Sequence, residues 1–306
     1  MTTQAHALNR PWRTLGPGSD DTRLAVSASA CDGATIQLRR YAPALGAEVR
    51  GIDLAGGLNP DQYRQLRAAL LEHQVLFFKE QSEIDPEAHV RLGKLFGELH
   101  MHPAAPQMQG FPEIFEIHVT EHSKIANGEF WHSDVSCDIT PPLGTLLQIH
   151  VLPEIGGDTL FANMYAAYDA LSAPLQTMLA SLTATHASEH VYRGRYSDRG
   201  VDDDRKQYPQ AVHPVVRTHP ETGRKAIYVN RTFTTRINEL SESESRALLD
   251  LLFAHCEQID FQIRYRWERN DLAFWDNRCV MHHAIWDYWP HERKGRRVTV
   301  KGDRPR

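Results

Sequence analysis

Apolar residues recur along the chain at two spacings, and the change from one to the other marks out its elements. Strict alternation runs through Phe261-Gln262-Ile263-Arg264-Tyr265-Arg266-Trp267, where every second side chain is large and apolar. That is the spacing of a strand with one buried face. Ile36–Arg40, Ala47–Ile52, Val75–Phe78, Ile114–Val119, Thr145–Val151, Asp158–Phe161, Leu272–Trp275 and Val298–Val300 are shorter runs of strand character. Helical spacing follows Asn59-Pro60, a candidate N-cap with proline at the first helical position, and places Tyr63, Leu66, Leu70 and Leu71 on one side. Pro86 to Phe96 repeats the pattern with Val90, Leu92, Leu95 and Phe96. Ser241 and Glu244 form a capping box ahead of Leu248, Leu251, Leu252 and Phe253. Shorter helical segments are expected near Met164–Leu171 and Leu175–Leu182. Many short strands, a few helices and no strand–helix–strand rhythm predict a mainly β fold, a sandwich or barrel with covering helices.

The pattern fades at two places. Residues 1–33 are polar, hold Pro11, Gly16, Pro17 and Gly18, and are expected to form a flexible N-terminal arm. Arg193–Gln210 is dense in charge, including Asp202, Asp203, Asp204 and Arg205, and is expected to be an exposed insertion loop. With no internal repeat and no second hydrophobic core in the sequence, residues 34–306 are expected to be a single domain.

Composition narrows the setting. The chain has 306 residues, 41% hydrophobic and 24% charged, with a formal net charge of -5. That mild acidity argues against a dedicated nucleic-acid surface, which usually needs a basic face. No apolar run approaches the roughly 18 residues of a membrane span, and the first ten residues lack the apolar core of a secretory signal. Cys31, Cys137, Cys256 and Cys279 show no C-x-x-C pair and are expected to be free thiols in a reducing compartment, the cytoplasm.

Candidate chemistry lies in His132-Ser133-Asp134 and the distant His282. Two imidazoles and a carboxylate on one face of an octahedral ion form the facial triad of non-haem Fe(II) oxygenases. On a strand, residues two apart project to the same side, so His132 and Asp134 would be presented together. Zinc is the alternative metal, although the H-E-x-x-H motif of many zinc enzymes is absent. The chain carries 17 His, so the triplet needs support from its surroundings. Farther on, Arg293 and Arg297 in His291–Thr299 are either a solvated basic face or paired-donor anchors for carboxylate, sulfonate or phosphate.

Longer blocks carry a resemblance. Phe96-Gly97-Glu98-Leu99-His100-Met101-His102-Pro103, Gly156-Gly157-Asp158-Thr159-Leu160, His213–Pro220, Phe233–Ile237, Leu251–His255 and Trp275-Asp276-Asn277-Arg278 occur in this order. In them the chain resembles the taurine dioxygenase (TauD/TfdA) family of Fe(II)- and 2-oxoglutarate-dependent dioxygenases, from about Ile36 to Pro305. The resemblance implies a double-stranded β-helix (jelly roll). It implies Fe(II) on His132, Asp134 and His282, and the distal carboxylate of 2-oxoglutarate on Thr159 and Arg293. Arg297 and His102 would hold the acidic head of the substrate, aided by the backbone N–H of Val135, with Tyr192 and Phe233 lining the pocket. Trp131, Trp275 and Trp286 are assigned to packing.

The implied reaction couples decarboxylation of 2-oxoglutarate, with dioxygen as second co-substrate, to hydroxylation of the carbon next to the acidic group. A sulfonate would then release sulfite and an aldehyde; a sulfate ester or a phenoxyalkanoate-type carboxylate is the alternative substrate. The family often forms dimers or tetramers, so a homo-oligomer is expected. Three positions depart from the pattern for taurine: Ala105 stands for a Tyr, Gly128 for an Asn and Cys137 for a Phe. Tyr192 in place of Phe adds a hydroxyl. The losses of bulk point to a substrate larger than taurine. Two other classes stay open on the residues: a hydrolase using the same triad, and a non-catalytic organic-anion-binding protein on the same fold.

Overall fold

Eight strands form the largest sheet of the computed structural model, which describes residues 36–203 and 206–306. The arm assigned to residues 1–33, with Cys31, lies outside the described residues, as do Asp204 and Arg205. Across the sheet the order is Gln37–Arg40, Ala47–Arg50, Val75–Phe78, Leu272–Asp276, Gly144–Val151, Arg293–Val300 and Leu99–His100. The remaining strand, Ile114–Val119, also pairs with Arg293–Val300. Only Ala47–Arg50 and Val75–Phe78 run parallel; the other pairs of this sheet are antiparallel. Facing it is a sheet of Gln262–Tyr265, Thr159–Asn163 and Val280–Ala284.

Side-chain alternation explains why these layers stack. Val75 and Phe77, with Ala273 and Trp275, point into the space between the two sheets. There Phe77 stacks on Tyr265 with ring centroids 3.8 Å apart, and Phe161 meets Trp275 at 5.6 Å. Leu76 and Phe78, with Leu272 and Phe274, point to the other side. The helices Pro60–His73 and Pro86–Lys94 cover that side with Leu66, Leu70, Val90 and Leu92. With both faces buried, these strands read as continuous apolar runs. Where the sequence suggested one core, there are two clusters, one on each face of the same sheet. The layered sheets are those of a jelly roll and do not close into a barrel.

Most elements fall where the periodicity put them. Asn59 caps the Pro60–His73 helix, and the Ser241/Glu244 box caps Glu242–Cys256. A further sheet was not foreseen: Thr234–Ile237, Thr183–Ala187 and Gln210–Pro214. Its strands are short and polar, so only pairing reveals them. The described cysteines Cys137, Cys256 and Cys279 are free and buried.

Gly295 is where the site strand needs closeness. A Cβ there would lie 2.5 Å from the backbone oxygen of Gln148 and 2.7 Å from Ile149 Cδ1. The pairing of Arg293–Val300 with Gly144–Val151 shifts register at this point. Gly295→Ala is expected to push the two strands apart and destabilise the fold by roughly 1–3 kcal/mol, the usual cost of an overpacked core, read as a fall in Tm.

Two buried histidines make stability depend on pH. His89, on the Pro86–Lys94 helix, lies 3.1 Å from the Leu146 carbonyl oxygen and has its pKa lowered by burial to about 4. Burial takes His186 down to about 3. In the unfolded chain both imidazoles take up protons near pH 6.5. Their contribution is therefore whole above that pH and is lost as pH falls through 6.5 towards 4. Melting curves at pH 7.5, 6 and 5 should show Tm falling across the series; a Tm flat over that range would contradict the assignment.

Candidate active site

His132 and His282 exchange backbone hydrogen bonds, 3.0 Å from His132 N to His282 O and 2.8 Å in return. This is a single bridge rather than a strand pair, which corrects the expectation that His132-Ser133-Asp134 is extended. The chain turns at Asp134: its N–H reaches Asn277 Oδ1 at 3.3 Å, and Val135 takes a positive φ of 45°. The carboxylate is delivered by that turn and the second imidazole by the Val280–Ala284 strand. Asp134 Oδ1 stands 3.8 Å from His132 Nε2 and 4.0 Å from His282 Nε2. All three ligand atoms lie within 4.8 Å of one another and all three residues are buried.

The donor set suits a divalent ion. His132 Nδ1 donates to the Phe130 carbonyl at 2.7 Å, which leaves the Nε2 lone pair facing the other two groups. Burial lowers the pKa of His132 and, further, of His282, so both are neutral imidazoles. For Asp134 burial acts the other way. Arg297 above all, with the Thr145 hydroxyl, more than offsets it and holds the carboxyl well below its usual range. The carboxylate is ionised.

A supporting layer fixes that carboxylate. Thr145 Oγ1 donates to Asp134 Oδ2 at 2.7 Å, and Asn277 Nδ2 donates to Thr145 Oγ1 at 3.0 Å. Asn277 Oδ1 in turn accepts from Trp275 Nε1 at 2.9 Å. Trp275 also meets the His282 ring at 4.7 Å between centroids. Thr145 and Asn277, which nothing in the sequence marks as site residues, and Trp275, expected only to pack, all lie beside the triad. Trp131 and Trp286 do pack, against His283 and in the small cluster of Val119, Ala126 and Tyr288.

Arg293 and Arg297 are 4% and 8% exposed, which excludes the solvated-face reading. Four residues apart on one strand, they share a face at a spacing of roughly 13 Å. Arg297 Nη1 donates to Asp134 Oδ1 at 2.6 Å, while its buried Nε has no partner among the described residues. Arg293 Nε donates to the Gly157 carbonyl at 3.1 Å, and its buried Nη2 has no partner among the described residues. A Cβ on Gly157, whose φ is +73°, would come 3.1 Å from Arg293 Cδ. Thr159 Oγ1 accepts from Trp267 Nε1 at 3.0 Å, which leaves its own proton to donate.

The residues to which the resemblance gives a site role line one cavity: His132, Asp134, His282, Thr159, Arg293, His102, Val135, Tyr192, Phe233 and Arg297. His102 Nδ1 accepts the N–H groups of Ala104 and Ala105 at 3.2 and 2.9 Å, so its Nε2 carries the proton. Burial, then Arg297, hold His102 well below the usual histidine range, and it too is neutral. The wall between the charged ends is apolar, with Ile117, Phe130, Leu147 and Val191.

The supposed insertion loop supplies part of this wall. Tyr196 and Arg195 line the cavity beside Tyr192. Arg195 Nε and Tyr196 Oη donate to Asn127 Oδ1 at 3.1 and 3.3 Å, and Lys206 Nζ reaches the Ala104 carbonyl at 3.1 Å. Within this charged run the spacing of Tyr196, one helical turn beyond Tyr192, is the signal for an inward-facing ring. The three departures also separate. Gly128 is on the cavity wall; Ala105 lines an adjoining recess that shares His102, Phe115, Val135 and Arg297; Cys137 is fully buried and lines neither.

The family model for taurine catabolism dioxygenase TauD, TfdA family, matches residues 37–299. The chain belongs to this family. It is 34% identical over 288 residues to an alpha-ketoglutarate-dependent sulfate ester dioxygenase of Pseudomonas putida, covering 92% of this chain and 94% of that one. With an alpha-ketoglutarate-dependent sulfonate dioxygenase of Saccharomyces cerevisiae the identity is 33% over 88% of this chain and 68% of the other. The crystal structure of a taurine dioxygenase from Burkholderia xenovorans superposes with a TM-score of 0.75 at 34% identity, covering 88% of this chain and 92% of that one. The protein is thus a 2-oxoglutarate-dependent dioxygenase, and Fe(II), 2-oxoglutarate and dioxygen are the cofactor and co-substrates of that class. The expected jelly roll and enzyme class both hold. Among the described residues no helix is long and apolar enough to cross a membrane.

The dioxygenase's residues fit these groups: three convergent ligand atoms for the ion, and an unpartnered guanidinium nitrogen beside a free hydroxyl proton for a carboxylate. Thr145→Val removes the bond that aims Asp134. It is expected to weaken metal affinity about 10- to 100-fold, as read by competition with a chromophoric chelator, and to lower the melting temperature as well, because Asp134 Oδ2 and Asn277 Nδ2 lose their partner.

Proposed function

We propose that this dioxygenase oxidises a sulfonate or sulfate ester at the carbon next to the acidic group, and that the substrate carries an apolar tail larger than that of taurine. The observation that carries the reading is the strand Arg293–Val300, which places two buried guanidiniums on one face at opposite ends of the cavity, with the triad against one of them. Two different anions can then be held at once. His132, Asp134 and His282 would hold Fe(II), which when bound supplies the activation of dioxygen.

The protein's own part is binding and aiming. Arg293 Nη2 and the Thr159 hydroxyl would clamp the distal carboxylate of 2-oxoglutarate as paired donors. Arg297 and the Nε2–H of His102, with the Val135 N–H, would hold the sulfo group. Phe233, Tyr192 and the apolar wall would enclose the tail and keep water from the reacting carbon. Because Arg297 touches Asp134, the head group is anchored beside the ligand set, so the adjacent C–H is the one aimed. Hydroxylation there leaves a carbon bearing both oxygen and the sulfo group, which collapses to an aldehyde with loss of sulfite from a sulfonate or sulfate from an ester.

The relatives that act on sulfate esters and on sulfonates support this substrate class, and Gly128 and Ala105 support the larger size. A catalytic unit of residues 34–306 and a cytoplasmic location, supported by the sequence pattern and the unpaired cysteines, belong to the same proposal, as does a homo-oligomeric state, dimer or tetramer, which rests on the family resemblance. A panel of taurine, short and medium alkanesulfonates, alkyl sulfates and phenoxyalkanoates, scored by succinate formed with Fe(II), 2-oxoglutarate and oxygen, tests it. Medium-chain sulfonates or sulfates are expected to give the highest kcat/KM, with one aldehyde per succinate. A panel in which taurine is the best substrate, or in which only carboxylates couple, would overturn it.

A further inference from the structure

Phe115 stands directly opposite Arg297 across the strand pair, in the register that sets Arg293 opposite Val119. Cross-strand partners share a face, and the Phe115 ring lies on the cavity wall beside the guanidinium. Arg297 Cζ is 4.9 Å from the ring centroid, well within the range at which an aromatic face attracts a cation. The same ring stacks on His102, with centroids 5.0 Å apart and planes inclined by 18°. One buried side chain thus touches both members of the proposed head-group site.

Neither anchor is fully fixed by its own hydrogen bonds. The Ala104 and Ala105 N–H groups hold His102 at Nδ1 only, which leaves rotation of the ring about that edge to be limited by packing. Arg297 has one described hydrogen bond, from Nη1 to Asp134, and its Nε has no partner among the described residues. Without a surface for its planar group, the guanidinium is free to turn further towards the carboxylate. We propose that Phe115 is a positioning residue that sets the spacing and tilt of Arg297 and His102, and through them governs affinity for the sulfo group. This rests on the reading of those two residues as the head-group site. It adds that their geometry depends on a flat aromatic face, which an aliphatic residue of like volume does not provide. The 2-oxoglutarate end is built from Thr159, Arg293 and Trp267, which Phe115 does not stack on, so it should not respond.

The test is calorimetric titration of hexyl sulfate into the full-length enzyme loaded with Fe(II) and 2-oxoglutarate in the absence of oxygen. Phe115→Leu is expected to weaken binding about five- to tenfold, while Phe115→Tyr, which keeps the ring, stays within about twofold. Affinity for 2-oxoglutarate should be the same in all three proteins. Wild-type affinity in Phe115→Leu overturns the inference, as does an equal loss in the Leu and Tyr variants. A parallel loss of 2-oxoglutarate affinity also overturns it, because the ring then only packs. Arg297→Ala separates the two levels. If that variant binds hexyl sulfate like the wild type, or the wild type does not bind it, the head-group reading itself falls.

Discussion

A single carboxylate, buried beside two imidazoles and a guanidinium, sets the terms for this structure. Burying an ionised group is costly unless its charge is met and its oxygens are hydrogen-bonded. Asp134 is met by Arg297 on one oxygen and by Thr145 on the other. Those partners come from neighbouring strands of the large sheet, whereas His282 comes from the facing sheet. The two layers are therefore tied at the point where a metal would sit. Asn277 extends the tie, since it bonds Thr145, the Asp134 N–H and Trp275 together.

The second organising feature is strand alternation in Arg293–Val300. Arg293 and Arg297 face the cavity, while Val298 and Val300 belong to the cluster under the helices. One eight-residue strand thus supports both the anion-binding wall and the outer core. Gly295 lies between the arginines because no side chain fits against the Gln148 backbone there. A segment that looks like a basic surface run is in fact among the more confined parts of the molecule.

This layout also accounts for the way specificity can vary on one reaction. The groups suited to metal and 2-oxoglutarate lie on regular strands and on a turn fixed by Asn277. Tyr192, Arg195 and Tyr196, by contrast, come from a short helix and the loop after it, which side chains fasten to the Ala126–Asn127 and Ala104 loops. Gly128 and Ala105 also sit in loops. Changes there reshape the space around a substrate tail without disturbing the ligand set, in keeping with the usual division between a rigid scaffold and variable loops.

Periodicity and caps were enough to place Phe261–Trp267, the Asn59 and Ser241 helix starts, and the mainly β character, because these depend on local spacing and local hydrogen bonds. His132, Asp134 and His282 stood out as a candidate ligand set by residue type, though the spacing of the triplet alone was weak, while the roles of Thr159 and Arg293 came from the family resemblance. Other features needed the tertiary structure. The turn at Asp134 follows from a bond to Asn277, which is 143 positions away in sequence. Thr145 and Trp275 look like ordinary strand residues until the sheets stack. The charged stretch after Tyr192 reads as solvent-facing because composition records average polarity, not that the Tyr196 ring turns inward. Sequence by itself determined the elements and the chemical types available. Only the packed structure decided which of them meet, since burial, register and hydrogen-bond partners are set between residues distant in the chain.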